Sequence, residues 1–222
     1  MYIIGGKIVK KKTLKSRLFL MSVISIFTYY STSLAFGVTY NQLHLIYISL
    51  FSASFYGLII AIRSLDEKKV AEAIENRLPF KGIYIFLSLT GIVVFAAWLP
   101  DIINSLVSGH SLEKIEVYTT QITYVLDMGL IAPTSFICLF RLKKRKGMGY
   151  IILELLLTLC CAVGIMVPAQ TVFQLKAGIS FPIGAIIIKA GMFIVLAFFA
   201  LYYNIKFLKT VGVFQFKNEK AR

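Results

Sequence analysis

Six stretches of about twenty mostly apolar residues follow one another along the chain, near residues 18–37, 43–62, 82–100, 119–140, 149–169 and 183–204. A hydrocarbon layer ~30 Å thick needs roughly 20 apolar residues in helical form to cross it, so each stretch predicts one crossing. A membrane barrel would show apolar and polar residues alternating in runs of about ten, and that pattern is absent. The pattern therefore predicts an all-α, polytopic membrane helix bundle of six transmembrane helices, forming a single membrane domain over residues 1–222. Composition agrees: 58% of residues are hydrophobic, 15% are charged, and the mean hydropathy is +0.80.

Charge adds orientation. The formal net charge is +14, and 21 of the 24 lysines and arginines fall in four places: residues 1–17, 63–81, 141–147 and the tail from Lys206. The intervening connections carry only Lys114 and Lys176. Alternation of basic and base-poor connections is what the positive-inside rule requires, and it predicts both termini on the cytoplasmic side. The basic segments are expected to meet a bilayer with anionic head groups, at about 1 kcal/mol per basic residue near the surface. They lack the aromatic platforms of single-strand binders, so no nucleic acid is expected. The basic run through Arg17, the apolar stretch after it, and Ser33 and Ala35 also fit a signal peptide. Apolar residues nevertheless continue through Phe36 to Val38, and no soluble domain follows.

Two connections carry helix signals of their own. In residues 65–78, Val70, Ile74 and Leu78 recur at every fourth position, Ser64 with Glu67 reads as a capping box, and Pro79 is a stop. This predicts a cytoplasmic amphipathic helix, lying on the membrane or over the mouth of the bundle. On the other side, DIINSLVSGH predicts a two-turn helix stopped by Gly109, with Trp98 and Pro100 before it marking the interface.

The candidate chemistry lies inside the spans. Asp127 sits about eight residues from the outer end of the fourth span, roughly 12 Å at 1.5 Å per residue. Lys189 lies about six residues into the sixth, roughly 9 Å deep. A lone charge in lipid costs ~2.5–3.5 kcal/mol on insertion scales, so matched depth predicts a pair. Thr120, Thr123, Asp127 and Thr134 follow spacings of three, four and seven, which puts them on one helical face, with Gln121 and Tyr124 beside it. Pro133 cannot donate to the carbonyl of Gly129, so a kink with a free acceptor is expected near the acid. Together these residues predict a ligand or ion pocket. Glu154, in the fifth span, shares a face with Tyr150, Thr158 and Cys161 and marks a secondary inner site, with a salt bridge to the RLKKRK loop as the alternative.

No catalytic residues, cofactor or metal site are assigned. The nucleophile elbow, phosphate loop, HExxH motif and dinucleotide fingerprint are all missing, and Cys138, Cys160 and Cys161 all fall inside spans as small packing groups. The segments WLPD, YTT, YVLDMG, Pro133 and RLKKRKGMGY, between residues 98 and 150, resemble parts of uncharacterised bacterial multi-pass membrane proteins. That resemblance implies a bacterial cytoplasmic membrane and no particular activity. The functional expectation is an intramembrane site around Asp127 that binds or transports a small cation, proton or polar solute. The alternatives are an accessory or sensory subunit with a membrane-protein partner, whose Asp127 and Lys189 serve helix packing, and then a membrane-embedded enzyme.

Overall fold

In a computed structural model, residues 13–74, 77–112, 120–176, 178 and 183–220 are described, with backbone alone for 183, 185–189, 213 and 215–220. Described this way, the chain is all-α with seven helices: α1 Leu14–Gly37, α2 His44–Arg63, α3 Glu67–Ile74, α4 Phe80–Ser108, α5 Ile122–Lys143, α6 Gly147–Lys176 and α7 Ile183–Lys220. All but α3 contain a stretch long and apolar enough to cross a membrane; in α7 that stretch is Ala190–Gly212. The protein is thus a six-span membrane helix bundle. The helices mostly run a few residues beyond the apolar stretches, because a helix satisfies its own backbone and continues until a cap or turn stops it. At the start of α1, the Thr13 hydroxyl accepts the Ser16 amide at 3.2 Å. At the end of α4, Gly109 adopts φ +70°, the left-handed conformation that glycine takes without strain.

The two predicted short helices turn out differently. The outer one is no separate element: DIINSLVS continues α4 straight through Pro100. The cytoplasmic one, α3, is shorter than residues 65–78, and Ser64 does not cap it. The Ser64 hydroxyl turns back to the Ala61 carbonyl at 2.7 Å. Asp66 caps α3 instead, accepting the amides of Lys68 and Lys69 at 3.1 and 3.3 Å. Asp66 lies outside the spans, and these amides, Lys69's foremost, hold its pKa below the usual carboxylate range. Glu67 reaches across to accept the Met148 amide at 3.0 Å, so it caps α6 rather than its own helix. A side chain on Gly147 would run into the Glu67 backbone, which is why glycine begins α6.

The apolar face of α3 (Val70, Ala73 and Ile74) is fully buried against α6 and α7, so this helix closes one end of the bundle. We call that the basic end, since the described basic connections, at residues 63–81 and 141–147, lie there. The core beneath it combines Leu18 and Met21 of α1, Ile83 and Leu87 of α4, and Leu153, Leu156 and Leu157 of α6. Among the described residues the most extensive helix pairing is α6 with α7, where Gly164 lies so near Ala197 that any side chain would overlap it. At the other extreme, α2 packs mainly on α1, through Ser31 and Ser54 at 2.8 Å and an edge-on Phe36–Phe51 contact. It turns Leu45, Ile46, Tyr56 and Ile60 outward, as a helix facing acyl chains would.

Candidate intramembrane carboxyl site

Asp127 stands where α5 changes its winding. Residues Asp127–Ile131 form a π turn, in which the Ala132 amide bonds to the Asp127 carbonyl five residues back. This differs from the expected kink between Gly129 and Pro133. The missing proline donor is accommodated by one wide turn lying upstream, a device common at functional positions. Its consequence is angular: an extra residue in the turn rotates everything beyond it by about 100° relative to the Asp127 face. Thr134 is therefore swung off the stripe it shares in an ideal helix, and Pro133 is exposed on the outside of the bundle.

Helix α5 begins at Ile122, so Asp127 is closer to its helix end than the sequence suggests. Surrounding helices bury it nonetheless, leaving the residue 3% exposed. Each carboxylate oxygen has a donor from a different helix. The Tyr29 hydroxyl of α1 donates to Oδ1 at 2.6 Å, and the Trp98 indole nitrogen of α4 donates to Oδ2 at 2.9 Å. Trp98 in turn stacks on Tyr124, ring centres 4.6 Å apart, and lies 5.8 Å from Phe193. Tyr124 donates to Asp101 at 2.8 Å. An aromatic pair thus stands beside the acid, on its approach from the end of the bundle opposite α3.

Two spaces adjoin this arrangement. A cavity of about 20 Å³ touches Asp127 and is lined by Thr90, Val94, Ile131, Cys160 and Phe193 among others. That is room for about one water molecule. A more open groove of about 370 Å³ lies further out, against Ile102, Thr120, Gln121, Tyr124, Met128 and Gly129. The sequence-predicted pocket is therefore divided. Asp127 belongs to the inner cavity, while Thr120, Gln121 and Tyr124 belong to the outer groove. Thr123 is half-buried on α5 and lines neither space. The expected Asp127–Lys189 pair lies outside the described residues: Lys189 is on α7, and its side chain is not described.

Glu154 is fully buried in the seam between α6 and α7. Its Oε1 accepts from Asn204 of α7 at 3.4 Å and from Thr158 at 3.5 Å, and Asn204 also donates to Thr158 at 2.8 Å. These contacts replace the alternative salt bridge to the RLKKRK loop, because burial faces the acid toward α7 instead. Tyr150, one turn earlier, is buried in the core near Phe80. The participants missed in the sequence are instructive. Tyr29 sits among other span aromatics with nothing to mark it, Trp98 reads as an interfacial anchor, and Asn204 is overlooked when only ionisable residues are counted. A lone amide inside an apolar helix was the available signal for Asn204.

No family model, curated protein or solved structure matches the chain. The site geometry is therefore the ground for a functional reading.

Proposed function

We propose that the protein takes up a proton at Asp127, as the binding step of transport or sensing in a bacterial cytoplasmic membrane, with its basic end on the cytoplasmic, anionic-lipid side. One observation carries this reading: a carboxyl group buried among apolar helices, held through both oxygens by neutral donors, beside a space for a single water. Of the ligands that suit an intramembrane acid, a proton fits best. A hard cation such as Ca²⁺ or Mg²⁺ calls for about six or more oxygen ligands, and this cavity offers little beyond Asp127 and Thr90. A polar solute would not fit it, although the outer groove that ends on Tyr124 is large enough to lead water toward the Trp98–Tyr124 pair.

Trp98 is the sole tryptophan of the chain, so its fluorescence reports directly on the Asp127 bond. In liposomes, the wild-type emission should shift as external pH is varied, and an inward proton gradient should acidify a trapped dye. Asp127→Asn, checked for folding by its elution profile, should lose both responses. Retention of both in Asp127→Asn would sink the reading. A second reading has its own support, because the Tyr29 and Trp98 bonds fasten α1 and α4 to α5 in the manner of a packing device for an accessory subunit. On that account the wild type shows no pH response, and the substitution alters thermal stability alone.

A further inference from the structure

Glu154 is the other acid inside the bundle, and its setting differs. It is the eighth residue of α6, about 10 Å along the helix from the basic end and more than 30 Å from the far end. Its Oε2 is buried and has no hydrogen-bond partner among the described residues. Oε1 has only the two long contacts from Thr158 and Asn204, both neutral. The titratable groups that share its face of α6 are Tyr150 and Cys161. From α7 it meets Asn204, and the core that holds its neighbours Leu153, Leu156 and Leu157 also contains Val70, Ala73 and Ile74 of α3 and Leu18 and Met21 of α1. Among the described residues no cationic side chain contacts it. A buried carboxyl oxygen with no donor, in apolar surroundings, lacks the proton or cation that would complete it.

The arrangement does not belong to the Asp127 site. That cavity touches α6 through Leu159, Cys160 and Val163, whereas Glu154 shares its face with Thr158 and Cys161. At about 100° per residue these faces point to opposite sides of α6. We infer that Glu154 is a second proton-binding group, independent of Asp127 and served from the basic end beneath α3. The proton sits on Oε2, while Oε1 remains the acceptor for Asn204 and Thr158. Its partners among the described residues, Thr158 and Asn204, offer at most two of the six or more oxygens that a hard cation gathers, which favours the proton as ligand.

Dicyclohexylcarbodiimide, which partitions into membranes, tests this. It consumes a carboxylic acid: the acid proton passes to a carbodiimide nitrogen, a carboxyl oxygen bonds to the central carbon, and the adduct rearranges to a stable N-acylurea. Mapped by tandem mass spectrometry on the wild-type protein in its membrane, the adduct is expected on Glu154. It should persist in Asp127→Asn and vanish in Glu154→Gln. In infrared difference spectra on raising pH, a carboxylic acid carbonyl band should be lost in Glu154→Gln and kept in Asp127→Asn. Labelling confined to other acids, or Glu154→Gln spectra that lose no band relative to the wild type, overturns the inference and leaves the Asp127 reading standing. If Glu154→Gln does not fold, the wild-type adduct map decides alone.

Discussion

Asp127 and Glu154 are both acids buried in one helix bundle, yet they are held in opposite ways. Asp127 has a donor for each oxygen, from α1 and from α4, and a small cavity at its side. Glu154 is fully buried, with two long contacts on one oxygen and, among the described residues, none on the other. The lesson is that burial alone does not define what an acid does. A carboxylate with organised donors helps hold helices together, so removing it strands those donors. A carboxyl that lacks donors is tolerated by its fold, and removing it relieves a cost.

Stability measurements in detergent can break this contrast, and the largest effect is expected at Asp127. Asp127→Ala leaves the Tyr29 hydroxyl and the Trp98 indole without acceptors, and should destabilise by about 2 kcal/mol. A neutral outcome in thermal unfolding would remove the first half of the comparison. Glu154→Leu, of similar volume and apolar, should act with the opposite sign and stabilise by about 1 kcal/mol. If it destabilises instead, Glu154 has a structural partner that the geometry does not reveal.

Tyr29→Phe deletes one donor and leaves Trp98 in place, so its cost should be near the ~0.6 kcal/mol average for hydrogen bonds in membranes. In a double-mutant cycle with Asp127→Asn the two losses should fail to add, and full additivity would argue that the bond contributes nothing. The smallest effect belongs to Asp66, an exposed carboxylate outside the bilayer. Its pKa is lower in the folded protein, so its stabilising contribution is present at neutral pH. That contribution fades as pH falls from about 3.9 through the lower folded value. Amide protection in Glu67–Ile74, taken relative to intrinsic exchange at each pH, should therefore fall at acid pH in the wild type. In Asp66→Ala it should already be lower at neutral pH, and equal protection in the two proteins would deny the cap.

Much of the architecture was legible because it depends on local quantities. Six apolar runs give six long helices, and Val70 and Ile74 do mark the buried face of a short helix between spans. Errors arose where a neighbour in space outweighed a neighbour in sequence. Ser64 and Glu67 have the spacing of a capping box, yet Ser64 finishes α2 and Glu67 caps α6. Pro133 signals a disturbed helix, but the π turn upstream cannot be read from it, and this turn decides which threonines face Asp127. Trp98 has the position of an interfacial anchor, and only the packing of α4 against α5 makes it a donor to an acid.

The sequence by itself determined that the chain is a six-span helical membrane protein with acids in its fourth and fifth spans. Hydrophobic length and the backbone's need for internal hydrogen bonds in lipid leave few other solutions. Only the tertiary structure decided that Asp127 receives a donor on each oxygen, from Tyr29 and Trp98, while Glu154 keeps an oxygen without a partner among the described residues. Those facts depend on helices brought together from distant parts of the chain, and on an angular shift of one residue that periodicity does not encode.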